Sequence, residues 1–157
     1  VKRFEFPLDR LLKVKRQLEK LAEARLGRAR DGVERAKAAV QAFHEQLAGV
    51  SAYMTGSLGR GFDPTRWAAA SDLSEQIGQQ IVAAEAAVAA AEAELQQAAA
   101  ARTEAATEVE ALVTLRRQQW ERWRYETAQS AQEQLDEVGL RRWQAAKANA
   151  GSPPEPV

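Results

Sequence analysis

Apolar residues recur along this chain in steps of three and four. One ladder reads Leu26, Ala29, Val33, Ala36, Val40, Phe43, Leu47, Val50 and Met54. A second reads Trp67, Ala70, Ser74, Ile77, Ile81, Ala84, Val88, Ala91, Leu95, Ala98, Arg102, Ala105, Val109 and Leu112. Alternating steps of three and four hold one narrow seam against a partner helix over many turns. The ladders are separated by Gly56-Ser57-Leu58-Gly59-Arg60-Gly61-Phe62-Asp63-Pro64. The pattern predicts an all-α protein, a two-helix antiparallel coiled-coil hairpin forming a single domain over residues 4–148.

The element ends follow from local chemistry. Pro7 suits the start of a helix and not its interior, so helix one is expected over residues 8–54. Three glycines end it, and the turn is expected over residues 55–63. Asp63 is a good N-cap and Pro64 fits the first helical position. Helix two then meets no proline before Pro153 and only Gly78 before Gly139, and is expected over residues 64–148. The remainder, 149–157, is proline-rich and is expected to be a disordered tail. Ahead of the first ladder, Leu11, Val14, Leu18 and Leu21 are also apolar but sit one step out of phase with Leu26. A skip of that kind alters the supercoil, and Gly27 and Gly32 follow it, so helix one is expected to bend here.

The two helices are unequal. A turn centred near Leu58 and Gly59 pairs residue i with roughly residue 118 − i, which sets Leu8 against the Val109–Leu112 region. Everything after about Thr114 is then expected to overhang helix one. The seam from Ala83 to Ala106 is mostly alanine. It permits close helix approach while each contact buries little apolar area.

Charge sharpens this picture. The net charge is zero, but residues 1–40 hold 12 Lys/Arg against 6 Asp/Glu, and residues 41–115 hold 3 against 10. A basic first helix beside an acidic second helix predicts ion pairing across the coil, each exposed pair contributing little. A zero net charge implies no overall attraction to nucleic acid. There is no cysteine, and so neither a disulfide framework nor a thiolate zinc site. The opening residues lack the apolar core of a signal peptide. The long Ile81–Ala106 stretch is interrupted by Glu85, Glu92, Glu94 and Arg102, so no direct membrane insertion is expected. A reducing, cytoplasmic compartment fits best.

Catalytic constellations are missing. His44 begins a zincin-like His-Glu-x-x pattern, but Ala48 stands where the second histidine belongs. The glycines at 56, 59 and 61 follow a helix and lack the Lys-Ser/Thr of a phosphate loop. Glu92 and Glu94 lie on a solvated helix with no pocket to tune them. The chain reads as a non-enzyme with no cofactor and no metal. The aromatic residues say more. Tyr53, Phe62 and Trp67 gather at the hairpin tip, where they either seal the turn or anchor a partner. Trp120, Trp123, Tyr125 and Trp143 lie on the expected overhang. Part of that face is expected to reach Phe4 and Phe6, with Trp123, Tyr125 and Trp143 left harder to bury. Exposed apolar patches of that size mark interfaces.

The opening Phe4-x-Phe6-Pro7-Leu8-x-x-Leu11-Leu12 and the closing Glu133-Gln134-Leu135-Asp136-Glu137-Val138-x-Leu140-Arg141-Arg142 resemble the flagellar FliJ family. The likeness covers residues 4–143, with an alanine-rich middle, Gly139 and the proline-rich tail as departures. It implies an antiparallel coiled coil of the flagellar type III export apparatus, similar to the central stalk of rotary ATPases. The implied partners are the hexameric export ATPase, the membrane export gate and the export chaperones. The implied location is cytoplasmic, peripheral to the inner membrane at the flagellar base. Carried over by motif, Phe4, Phe6, Leu8, Leu11, Leu135, Asp136, Glu137 and Leu140 are expected at the ATPase-facing end, with Trp123 added from the overhang. Tyr53, Phe62 and Trp67 are expected to face the gate on position alone. The coiled coil of a virulence-type secretion system and a generic dimerising coiled coil remain as alternatives.

Overall fold

The computed structural model describes residues 3–59 and 61–151. It holds two helices, α1 at Asp9–Ser57 and α2 at Pro64–Ala150, packed on each other as a hairpin, with no strand among the described residues. Packing divides the chain into two units. The hairpin unit is Val14–Glu108; the terminal unit joins Val1–Lys13 with Val109–Val157.

In the hairpin unit the two ladders meet as the spacing predicts. Ala29 and Val33 of α1, and Ala70, Ile77, Ile81 and Ala98 of α2, are buried. Ala98, in the alanine-rich stretch, is fully covered. A side chain this small reaches complete burial only where the opposing backbone comes close, so the stretch exchanges apolar area for proximity. Three ion pairs cross the coil, each with its cation on α1 and its carboxylate on α2. They are Lys15–Glu108 at 2.6 Å, Arg25–Glu94 at 2.8 Å and Lys37–Glu92 at 3.4 Å. All are partly exposed, so each contributes at most about 1 kcal/mol. The charge asymmetry of the two halves is thus partly neutralised inside the hairpin.

The turn is built as its residues suggest, with α1 running slightly past the expected end. Ser57 Oγ donates to the Met54 carbonyl at 2.8 Å, and Thr55 Oγ1 donates to the Ser51 carbonyl at 2.9 Å. These hydroxyls bond back onto carbonyls one turn earlier in the same helix. Gly61 has φ +83°, a left-handed conformation that side-chain-bearing residues rarely adopt. Asp63 then caps α2: its Oδ1 accepts from the Thr65 N–H at 2.9 Å and the Arg66 N–H at 3.4 Å. Phe62 packs on Trp67, ring centroids 5.6 Å apart, which closes the turn.

One expectation, the skip in the seam, is overturned at the start of the hairpin unit. α1 runs unbroken through Gly27 and Gly32. Its half-buried positions continue back from Leu26 through Ala22, Glu19 and Lys15 in the same three-four steps. The seam has no skip. Instead the leucine-rich positions are off the seam: Val14, Leu18 and Leu21 are 51%, 46% and 64% exposed. Keeping the seam in phase with the strong ladder below leaves polar residues in it here and the larger aliphatics outside.

In the terminal unit, Phe6, Leu12 and Val109 form a small core, with Phe4, Leu112 and Leu115 packed against it. Leu12 is the largest fully buried side chain of the described residues. The Asp9 N–H donates to the Phe6 carbonyl at 3.1 Å and the Leu12 N–H to the Leu8 carbonyl at 2.9 Å, so the chain turns into α1 directly after the phenylalanines. Residues 3–6, before that turn, are not helical, and Phe4 and Phe6 pack along α2. This moves the overhang. It was expected from about Thr114, yet Leu115, Gln119, Trp123 and Thr127 are still half-buried, and only from Ala128 to Ala150 is every residue exposed. The expected tail differs too: Asn149 and Ala150 belong to α2 and Gly151 to a turn, while residues 152–157 lie outside the described residues.

Candidate functional site

The terminal unit gathers most of the residues singled out in the sequence. Phe4 is half-buried and its ring meets that of Trp123 at 5.8 Å between centroids, tilted by 51°. Phe6 lies in the core. Trp123 was expected deep in the overhang and hard to bury; it is instead covered by Phe4, because the N-terminal segment reaches further along α2 than a helix-only register allows. Leu8 and Leu11 are both on the surface, at 36% and 42% exposure. Around the N-terminal segment lies an open depression of about 800 Å³ bordered by Arg3, Arg10, Lys13 and Arg116, a mainly basic rim. Within that rim Lys13 is paired with Asp9 at 2.9 Å.

Beyond Thr127, α2 continues for more than six turns with nothing over it among the described residues. Leu135, Val138, Leu140 and Trp143 are exposed there. The helix holds its shape through local pairs. Arg122 donates to Glu126 at 2.9 Å, Gln132 to Asp136 at 2.9 Å and Arg141 to Glu137 at 2.6 Å, all four residues apart. Such pairs add a few tenths of a kcal/mol each, roughly, and support a helix without a packing partner. Trp120 and Trp143 are each covered on one face by a cation, Arg124 at 5.2 Å and Lys147 at 5.1 Å from the ring centres. Asp136 and Glu137 are therefore engaged along the helix, and Leu135 and Leu140 present free apolar surface.

At the other end of the hairpin unit, Tyr53 and Phe62 are exposed while Trp67 is half-buried under Phe62. Sequence reasoning stopped at these aromatics. The structure adds an apolar groove of about 610 Å³ beside them, walled by Val50 and Tyr53 of α1 and Ala70, Leu73 and Ile77 of α2. Leu73 is 46% exposed because it stands one step off the seam, which is the signal that could have marked it. Among the described residues, no group of three His, Cys, Asp or Glu is placed to hold a metal ion. No helix among them is long and apolar enough to cross a membrane.

The sequence model of the flagellar FliJ protein family matches residues 4–148. The chain belongs to the FliJ family. No curated protein matches its sequence. Among solved structures, a YscO homologue from Chlamydia trachomatis is similar in fold, with a TM-score of 0.66 at 18% identity, covering 93% of this chain and 99% of the other. The FliJ match spans both units and includes every candidate position named above. Membership relates the chain to type III protein export.

Proposed function

We propose that this FliJ-family chain is a non-enzymatic stalk of the flagellar type III export apparatus, joining the hexameric export ATPase to the export gate and to export chaperones from the cytoplasmic side of the inner membrane. The observation that carries the proposal is the exposed end of α2, with Leu135, Leu140 and Trp143 more than half exposed on a stretch of helix that no other element covers among the described residues. A free helix end that exposes several large apolar side chains is the form of a segment that completes its packing on another protein. Leu8, Leu11, Leu135, Asp136, Glu137 and Leu140 form the ATPase-facing surface. Phe4, Phe6 and Trp123 hold the N-terminal segment against α2 and so keep that surface in place. The Tyr53 groove, with Phe62 and Trp67 beside it, faces the gate.

A stalk of this kind acts by unequal contact. Its two sides differ in charge and apolar area, so the subunits of a surrounding ring meet different surfaces. Binding then shifts the subunit equilibrium only by the difference in affinity for their conformations. The test is a pull-down with the cognate flagellar ATPase, with ring assembly and ATP turnover measured alongside. Stimulated turnover and co-purification are expected, and both weaken with Leu135→Ala/Leu140→Ala while the helical signal is unchanged. Absence of binding and of any change in turnover sinks the proposal. Binding to a virulence-type secretion ATPase in preference to the flagellar one assigns the stalk to that system instead.

A further inference from the structure

The exposed stripe on α1 in the hairpin unit belongs to neither surface above. Val14, Leu18 and Leu21 follow a four-three spacing, and the same register continues through Arg25, Arg28 and Gly32. All three aliphatic residues are about half exposed or more, while the seam beside them is filled by Lys15, Glu19 and Ala22. Leucines in that seam would bury more apolar area than lysine, glutamate and alanine do. The large side chains thus stand where the hairpin itself makes no use of them.

What the stripe runs into decides what it fits. Arg25, Arg28 and Gly32 line a groove of about 220 Å³ together with Ala29, Ala91 and Glu94. Gly32 leaves it open, since a Cβ there would meet nothing within 4 Å. Glu94, the carboxylate on its α2 wall, is taken by Arg25. At the near end Lys15 is taken by Glu108. Arg28, in the register of the stripe, is exposed and has no carboxylate within salt-bridge distance among the described residues. Of the acids nearby, Glu19 is half-buried in the seam, Glu23 lies on the far side of the helix from Leu18 by its spacing, and Asp31, three residues on from Arg28, is not within salt-bridge distance of it. The stripe is apolar at one end and has unpaired positive charge at the other.

We propose that this stripe is the docking site for an amphipathic helix of another protein that is acidic along its flanks. The helix lays apolar residues at three-four spacing on Val14, Leu18 and Leu21, and sets a carboxylate over Arg28 beside Gly32. Charge argues against a second copy of this chain as the occupant. An antiparallel α1–α1 pair would bring cationic flanks together, and like charges across an interface are costly.

The test uses two synthetic helical peptides of about 21 residues, six turns. Both carry leucine at the seam positions; one has glutamate on its flanks and its sister lysine. Binding to the full chain is read by fluorescence anisotropy. The acidic peptide is expected to bind at least about tenfold tighter than the lysine peptide, with the difference shrinking as salt is raised. Leu18→Ser/Leu21→Ser is expected to weaken the acidic peptide at least about tenfold, while the helical signal and ATPase co-purification are retained. Arg28→Glu is expected to narrow or reverse the preference between the peptides. Equal binding of both peptides overturns the proposal, as does unchanged binding to the serine variant. So does a dimer of the chain, or binding to anionic vesicles, that the serine variant abolishes, since either assigns the stripe to a different occupant. Loss of ATPase co-purification in that variant also overturns it, by placing the stripe in the ATPase surface.

Discussion

Leu12→Ala and Leu21→Ala are the same chemical change on one helix, and the fold gives them opposite consequences. Leu12 is 1% exposed in the terminal core against Phe6 and Val109; Leu21 is 64% exposed. Truncating a buried leucine to alanine removes three carbons' worth of transfer free energy, on the order of 2 kcal/mol, and a cavity term adds to it. The core here is only a few side chains thick, so partial collapse keeps the total near the low end, about 2–3 kcal/mol. Leu21→Ala removes little buried area and exchanges leucine for the best helix former, so its effect stays within about 0.5 kcal/mol. Urea unfolding followed by circular dichroism, with Trp fluorescence as a second probe, compares the two at constant slope. A Leu21→Ala loss equal to or larger than that of Leu12→Ala would refute the seam assignment. It would place the leucine stripe inside the coil, as the apolar pattern alone suggests.

Three further outcomes follow from the same packing. Gly61→Ala forces a side chain into φ +83° and is expected to lower stability by about 1 kcal/mol in the same urea assay, although a Cβ there meets no neighbour. Asp63→Ala removes the acceptor for the Thr65 and Arg66 N–H groups and is expected to cost about 1 kcal/mol, while Asp63→Asn recovers most of it. A double-mutant cycle over Phe4→Ala and Trp123→Ala is expected to give a coupling of about 0.5–1.5 kcal/mol, the range for tilted aromatic pairs; additive losses would separate the N-terminal segment from α2.

The hairpin was legible because its signal is redundant. Fourteen successive positions of the second ladder, from Trp67 to Leu112, agree on one seam, and Asp63-Pro64 marks the start of α2 as surely as any short motif can. The same method failed over Leu11, Val14, Leu18 and Leu21, and the reason is physical. Hydrophobic periodicity reports which residues share a face, not which face is covered. Four aliphatic residues in phase with each other form a better ladder than Lys15, Glu19 and Ala22, yet the phase of a helix is set by its whole length. Below Leu26 the seam is held by Ala29, Val33 and the positions after them, and α1 cannot turn its first turns toward α2 without breaking that register. A long ladder outweighs a short one, so the short one is left on the surface.

The misplaced overhang has a different cause. Register counting treats both arms as helices rising about 1.5 Å per residue, but an extended segment covers about twice that. Residues 3–6 are not helical, so Phe4 reaches Trp123 where a helical arm would have ended short of it. Proline is the cause that was visible: it fixes the residue before it away from helix, which puts Phe6 and its neighbours in the longer-reaching form. The consequence bears on function. The covered part of α2 extends to Thr127, and the free part begins only at Ala128. On the proposed stalk reading, a partner of the terminal unit meets two kinds of surface. One, at Leu8 and Leu11, is already ordered by packing beneath it. The other, at Leu135 and Leu140, is ordered by helix propensity and local ion pairs alone. Contacts on the first cost little ordering entropy, whereas contacts on the second must offset what the free helix end loses when held. On that reading, affinity for a ring is governed by the leucines beyond Thr127 only as far as that helix end is already formed, so the pairs Gln132–Asp136 and Glu137–Arg141 support the proposed binding although they touch nothing but their own helix.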